Sequence, residues 1–329
     1  MINRKLRATL IAFASILLMA ESLSAQEPQA HQATGSTGAK GQSEGAGAPE
    51  IIPHRTNPNA GALTAGSTGV ITPDITYHGG PVMGTPNVYL IWYGNWNQSN
   101  PSDTPAGQQI VRDFLYGLSG SNYYLTNTSY GTPSGSFAVK GEFTDSYSQG
   151  ARLSDSMVRA VVTHAIATTT PGALPQDTNG IYFVLTSSDV AERSGFCSKY
   201  CGWHTSSTIS GSDIKYSFVG NSYRCLSSCA AQTIGPNGNA GVDGMVSVIA
   251  HELEETNTDP DLSAWYDSNG AEDADKCAWT FGSIQQKASN GAYYNMTLKD
   301  PTGNPRNYLI QRELDVNSKC YVDYVTNVQ

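Results

Sequence analysis

The sequence predicts an α/β or α+β fold in which a mixed sheet packs on helices. Two apolar and aromatic runs, residues 87–93 and 181–186, have the length and composition of buried strands. Three further segments repeat apolar residues at helical spacing, and all six cysteines lie in the C-terminal half. Strands that alternate with helices are typical of a sheet covered by helices, so we expect disulfide-bearing loops at one edge of that sheet.

The predicted elements follow one another from residue 87. The strand over 87–93 ends at Gly94 and Asn95, and the helix over 104–118 has Pro105 in its first turn, where a missing N–H is tolerated. Beyond it the sequence predicts hairpins over 123–143, a helix from Ser154, strands over 181–186 and 216–219, a helix over 242–258, and a β-hairpin or meander from 293–298 and 308–314.

The first 72 residues predict an exported protein. Residues 1–7 are basic, 8–20 are apolar but too few to span a membrane comfortably, and 22–25 form a small-residue cleavage site. We therefore expect a signal peptide over 1–25, a disordered Gly/Ala/Ser-rich leader over 26–72, and a single domain over 73–329. The predicted location is secreted or extracellular, with periplasmic or cell-wall association left open.

The net negative charge of the chain limits the classes of molecule that it is expected to bind. With a net charge of −9 and a pI near 5.1, the chain is a poor match for nucleic acid or an anionic membrane. We expect a monomer without a membrane span whose partner is a peptide or a cell-wall substrate.

The cysteines predict three disulfides. An even number of cysteines in an exported chain favours pairing, although six cysteines allow fifteen pairings. A structural zinc site built from the two C-x-x-x-C pairs is the alternative, but their spacing is one residue wider than the usual C-x-x-C.

The segment His251-Glu252-Leu-Glu-Glu255 carries the main functional signal. On a helix, His251 and Glu255 are about 40° apart around the axis, while Glu252 points about 100° away from His251. The usual zinc-hydrolase motif is H-E-x-x-H, and zinc also accepts carboxylate oxygen. We therefore predict a zincin-like helix in which His251 and Glu255 hold zinc and Glu252 is the general base.

A third ligand must come from outside the helix. Glu272 is our first choice, because zinc hydrolases often take a glutamate from a later helix, and Asp275 also fits that spacing. Pro260 disfavours helix at the preceding residue, so a sharp turn could bring Asp261 to the metal instead, with Asp259 as a further candidate. His204, in a loop beside Cys201, is the candidate catalytic partner that stabilises the oxyanion, with Tyr266 as an alternative.

Two alternatives compete with the zinc hypothesis. The acidic residues after the helix could bind calcium, since Asp267, Asn269 and Gly270 have the chemistry of a calcium loop without EF-hand spacing. The motif could also be an accidental match at a solvated helix end. Apolar residues just before His251 argue against the second alternative, because they indicate that the helix emerges from a buried segment.

Several segments resemble the Exordium-like, phosphate-induced protein family. They are residues 77–82, 89–94, 184–189, 195–204 and 219–245. The resemblance spans about 75–250, and the chain is similar to the microbial type, in which an HExxE helix is paired with a downstream Trp-Tyr-Asp and Glu-x-x-Asp segment. It implies an extracellular protein of a family known from plant cell-wall proteins linked to growth, and it implies no reaction.

Two functions follow from these patterns. The first is a secreted, metal-dependent hydrolase of peptide or amide bonds, in effect a zinc metallopeptidase. The alternative is a non-catalytic extracellular or cell-wall protein with a structural calcium or zinc site and a glycan-binding surface supplied by some of its 18 tyrosines and 5 tryptophans.

Overall fold

A six-stranded mixed sheet is the centre of the structure, a computed structural model that describes residues 50–53, 72–132, 135–167, 169, 172–283 and 286–322. Its strands are β1 (Glu50–Pro53), β2 (Asn87–Tyr93), β3 (Ala138–Asp145), β4 (Gly180–Thr186), β5 (Tyr200–Ile209) and β6 (Ser212–Gly220). They lie in the order β1-β5-β6-β4-β2-β3. The four strands from β6 to β3 pair in parallel, whereas β5 is antiparallel to both of its neighbours.

The middle of the sheet is the part that the sequence predicts best. Strands β2 and β4 pair in register from Asn87 opposite Gly180 to Tyr93 opposite Thr186, and nearly all their residues are buried. Parallel strands covered on both faces have continuous apolar runs instead of alternating ones. The two predicted buried strands are therefore confirmed.

Helices cover this sheet. They are α1 (Pro105–Leu118), α2 (Asp155–Ala167), α3 (Leu226–Cys229), α4 (Ala240–Thr258) and α5 (Asp273–Lys276), with 3-10 turns at Tyr124–Tyr130 and Ser222–Cys225. Helix α4 lies against β5, β6 and α1, and α2 lies against β3, β4 and β6. Among the described helices, none has the length and hydropathy of a membrane span. The predicted class, a mixed sheet packed on helices, is confirmed.

Short two-stranded ladders complete the structure. They join Thr76–Tyr77 to Trp265–Tyr266, Arg152–Leu153 to Ala191–Glu192, Gln286–Lys287 to Tyr293–Tyr294, Met296–Lys299 to Pro305–Tyr308, and Glu313–Leu314 to Cys320–Tyr321. Most of them lie in the C-terminal region, as predicted. All described residues belong to one compact unit, Ser36–Gln329.

Three predictions of local structure differ from the structure. Residues 123–143 form a 3-10 turn and most of β3, not hairpins, because β3 pairs in parallel with a strand reached through α1. Strand β5 was not predicted, since its Gly, Ser and Thr residues lack a clear apolar alternation. Strand β1 lies within the predicted leader, and the other leader residues before residue 72 lie outside the described part of the chain.

All six cysteines form disulfides, as predicted, in a pairing that the sequence left open. The pairs are Cys197–Cys225, Cys201–Cys229 and Cys277–Cys320. The first two join the start of β5 to the residues before α4, and the third joins α5 to the last ladder. The alternative of a cysteine zinc site is therefore wrong, because no thiol is free.

The first turns of α4 contain a buried carboxylate. The helix begins at Asn239, whose side chain accepts a hydrogen bond from the backbone N–H of Val242. Asp243 accepts hydrogen bonds from the backbone N–H and the Nδ2 of Asn237. Burial raises the pKa of Asp243 from 3.8 to about 6, although the Asn237 hydrogen bonds oppose the rise.

We predict that Asp243 makes the protein less stable as pH rises. A carboxyl group with a raised folded pKa stays protonated in the folded state while the unfolded chain ionises, so stability is lost between about pH 4 and 6. At 1.36 kcal/mol per pKa unit the loss is on the order of 3 kcal/mol. Urea unfolding of wild type and Asp243→Asn at pH 4 to 7 measures it. A constant difference between the two proteins across this range would contradict the prediction.

Candidate metal centre

Helix α4 places five ionisable side chains inside the protein. Every residue from Gly241 to Thr258 is buried. The ionisable residues are Asp243, His251, Glu252, Glu254 and Glu255. Removing such groups from water costs several kcal/mol each unless specific partners compensate. The four ionisable side chains in the C-terminal half of the helix therefore need polar partners from neighbouring elements.

The carboxylate of Glu255 lies between two histidines. Its Oε1 is 2.9 Å from Nε2 of His251, one turn earlier on α4. Its Oε2 is 3.7 Å from Nε2 of His204 on β5. The two oxygens of one buried carboxylate therefore face imidazoles from two different elements.

Two more carboxylates complete two overlapping triads. Oε2 of Glu272 is 3.1 Å from Nε2 of His204, and Oδ1 of Asp275 is 3.6 Å from Nε2 of His251. The ligand atoms of His204, Glu255 and Glu272 lie within 4.8 Å of one another, and the same holds for His251, Glu255 and Asp275. Four tetrahedral ligands at zinc bond lengths are about 3.3 Å apart, so both triads have spacing that fits a divalent ion.

Helix α5 brings the later carboxylates to α4. Glu272 occupies the N-cap position of α5 and Asp275 lies within the helix. The backbone N–H of Asp275 donates to Oε1 of Glu255 at 3.1 Å. This contact joins the short helix directly to the central carboxylate.

The centre is closed from solvent. The side chains of His204, Glu255 and Glu272 are 0% exposed and His251 is 1% exposed, whereas the side chain of Asp275 is 13% exposed. Asp275 is therefore the one member of the two triads whose side chain is partly exposed to solvent.

Glu252, the predicted general base, lies against strand β5. A Cβ added to Gly202 would lie 2.8 Å from Oε1 of Glu252 and 2.6 Å from Cγ1 of Val248. Only a residue without a side chain fits between α4 and this part of the strand. Gly202 therefore allows the Glu252 carboxylate to approach the backbone of β5.

The other predicted ligands lie elsewhere. Asp261 belongs to neither triad, and its Oδ1 is 3.7 Å from Nζ of Lys215. Oδ1 of Asp259 accepts from the backbone N–H groups of Ser263 and Ala264 and so stabilises the turn after α4. The Tyr266 ring stacks on that of His78, with centroids 3.7 Å apart.

The predicted calcium loop is an internally satisfied turn. Oδ1 of Asp267 accepts from the backbone N–H groups of Asn269 and Ala271. Its Oδ2 accepts from Nζ of Lys276, which is buried. Both carboxylate oxygens of Asp267 therefore have partners within the protein, and calcium binding by this loop stays a prediction.

A second buried acidic group lies beside the centre, and two of its members, Glu254 and Glu313, were not predicted. Glu254, Asp273 and Glu313 are buried close to the centre, and Nδ2 of Asn127 donates to Oε2 of Glu254. Burial raises the pKa of Glu254 and Glu313 well above the ordinary value, and neighbouring carboxylates raise it further. Only the position of Glu254 beside Glu255 could have indicated this group, because Asn127 and Glu313 are distant in sequence.

The predicted aromatic binding surface is small. Among the described residues, the largely exposed aromatic side chains are Tyr77, Tyr116 and Tyr223, and most other tyrosines and tryptophans are in the core or partly buried. The aromatic content therefore mainly serves packing, and glycan binding stays a prediction.

Comparison with known proteins identifies relatives of residues 75–320, which include five of the six strands of the sheet. The sequence profile described as the phosphate-induced protein 1 conserved region matches residues 75–320. Protein EXORDIUM-like 5 of Arabidopsis thaliana is 31% identical over 293 residues, which cover 78% of this chain and 76% of the relative. Protein EXORDIUM-like 3 of the same plant is 32% identical over 279 residues, covering 72% and 79%.

Protein PHOSPHATE-INDUCED 1 of Nicotiana tabacum is 29% identical over 229 residues, which cover 58% of this chain and 67% of the relative. No solved structure matches. Both triads lie within the matched residues 75–320, and the names of these relatives state no reaction or ligand. The three relatives are plant proteins, so the microbial type stays a prediction.

We predict that Gly202→Ala destabilises the protein by about 1–3 kcal/mol, the usual cost of adding volume to a packed interior. The new methyl group would press on Val248 and on the Glu252 carboxylate. Thr208→Ala, at an exposed position of β5, is the control and should change stability by less than about 0.5 kcal/mol. Urea unfolding measures both variants, and equal stabilities would show that β5 and α4 are not closely packed at Gly202.

Proposed function

This chain belongs to the phosphate-induced protein 1 family, and from that premise we propose that it is a secreted, non-catalytic protein whose fold is stabilised by one buried zinc ion. Three disulfides support export, because such bonds form and persist in oxidising compartments. The proposal assigns the ion to Glu255 as the common ligand, and either triad supplies the other two ligands.

The donor set favours zinc over calcium. Each triad contains one imidazole, from His204 or His251, together with carboxylates. Calcium takes oxygen ligands, six to eight in number, whereas imidazole suits zinc and related transition metals. The one oxygen-rich loop that the sequence offered for calcium has Lys276 beside its Asp267.

Burial of the centre is the observation that carries the structural role. Structural zinc sites are closed by protein ligands, while catalytic zinc sites keep an open position for water and substrate. Here His204, His251, Glu252, Glu255 and Glu272 are all 0–1% exposed. An ion held by His204, Glu255 and Glu272 would join β5, α4 and the start of α5 at a place without access for a peptide substrate.

A bound ion would also contribute to folding stability. A ligand that binds only the folded state adds about 4 kcal/mol when its concentration is a thousand times its Kd. The ion would offset the cost of burying three carboxylates beside two imidazoles.

We predict about one zinc per purified chain. Glu255→Gln should lose the zinc and unfold at lower temperature, because Glu255 is a ligand in both triads. His251→Ala should have the same effect if the ion is held with Asp275, and His204→Ala if it is held with Glu272. His164→Ala is the matched control, since His164 also contacts a carboxylate, Nδ1 being 2.9 Å from Oδ2 of Asp145, but on α2. Elemental mass spectrometry and thermal unfolding measure these effects. Absence of metal, calcium alone, or full zinc in Glu255→Gln would contradict the proposal.

A peptide or amide hydrolase is the second candidate, and the position of Glu252 favours it. This carboxylate follows the ligand His251 and lies beside the backbone of β5 at Gly202. A zinc ion supplies Lewis acidity, and Glu252 would take the proton from the attacking water and pass it to the leaving amine. His204 would stabilise the oxyanion if Asp275, and not Glu272, completed the metal site.

A cleavage assay separates the two candidates. The structural role predicts that zinc-loaded wild type and Glu252→Gln both leave a peptide library intact, as read by mass spectrometry. Cleavage by wild type that Glu252→Gln abolishes, with zinc content unchanged, would establish the hydrolase and overturn the non-catalytic role. Zinc content of the variant is the control, because Glu252 is not a member of either triad.

A further inference from the structure

Strand β1 covers the outer edge of β5. It pairs antiparallel with β5, so that Glu50 is opposite His204, Ile51 opposite Trp203, and Ile52 opposite Gly202. The register shifts after Ile52, and Pro53 is opposite Tyr200. Four residues of the N-terminal segment therefore form the last strand of the sheet.

Strand β1 differs from the other five strands of the sheet in its position relative to the family profile. Residues 50–53 lie outside the region matched by the family profile, 75–320, whereas the other five strands lie within it. Without β1, the backbone N–H and C=O groups along the outer edge of β5 would be unpaired, and such an edge accepts another extended segment. The pairing itself is made by backbone groups, which any peptide can supply.

The covered edge is also the edge nearest the metal centre. His204, opposite Glu50, belongs to one of the triads. Gly202, opposite Ile52, is the residue that allows Glu252 to approach β5. Helix α4 lies next to β1 as well. A segment added at this edge therefore passes directly beside Glu252 and His204.

We propose that the outer edge of β5, residues 200–204, is a strand-addition site for an extended peptide, and that residues 50–53 are its intramolecular occupant. The tether to the folded domain keeps the occupant at a high effective concentration, so weak backbone pairing suffices to hold it. Its displacement would expose the β5 edge beside the centre. This inference goes beyond the proposed function and requires no metal, since strand pairing involves backbone groups alone.

Hydrogen exchange of the full chain tests the occupant. Ile51→Pro combined with Ile52→Pro removes two backbone N–H groups and prevents strand pairing at these positions. We expect amide exchange within residues 200–204 to become at least about tenfold faster, with β2 and β4 unchanged. Asn59→Pro combined with Ala60→Pro is the control for two prolines introduced in the same N-terminal segment. This variant should leave the amide exchange of residues 200–204 as in wild type. Unchanged exchange at 200–204 in the first variant would overturn the proposal.

A peptide added in trans tests the site itself. A synthetic peptide with the sequence of residues 47–56 should restore protection of 200–204 in the double proline variant, and the same peptide with both prolines should not. Failure of the first peptide at millimolar concentration would overturn the strand-addition site. If residues 200–204 of the wild type are protected only in dimers, the paired strand comes from a second copy of the chain. That result would overturn the proposal that residues 50–53 pair within their own chain. Zinc content, measured on the same samples, reports separately on the metal proposal.

Discussion

The structure depends on how the buried carboxylate of Glu255 is compensated. A carboxylate removed from water needs polar partners, and here they are imidazoles on two elements, His251 on α4 and His204 on β5. The backbone N–H of Asp275 adds a third contact from α5. Because these partners come from three elements, the position of Glu255 links the helix layer, the sheet and the start of the C-terminal region.

The same constraint explains the close contact between α4 and β5. Gly202 lets the helix approach the strand, which brings His204 towards Glu255 and places Glu252 against the strand backbone. The disulfide Cys201–Cys229 joins the residue before Gly202 to the end of α3. A covalent bond next to this close packing contact restrains the strand that supplies one of the two histidines. Strand β1 then covers the remaining open edge.

Much of the fold was predictable because it is local. The parallel strands β2 and β4 are continuous apolar runs, and α1, α2 and α4 repeat apolar residues at helical spacing, with Thr104 and Asn239 as caps. Strand β5 was missed because its pattern of Cys, Gly, Trp, His, Thr and Ser resembles a loop, and only pairing with β6 makes it a strand. Residues 138–143 were assigned to a hairpin because nothing local shows that their partner is β2, reached through α1.

The sequence by itself determined that His251 and Glu255 share one face of a helix, because 3.6 residues per turn sets that relation wherever the helix lies. It also determined that six cysteines would pair, because an even number in an exported chain favours disulfides. The tertiary structure decided which carboxylates join them: Glu272 lies with His204, Asp275 with His251, and Asp261 with Lys215. The reason is that these contacts depend on the turn after α4 and on the docking of α5, where residues distant in sequence meet and spacing carries no information.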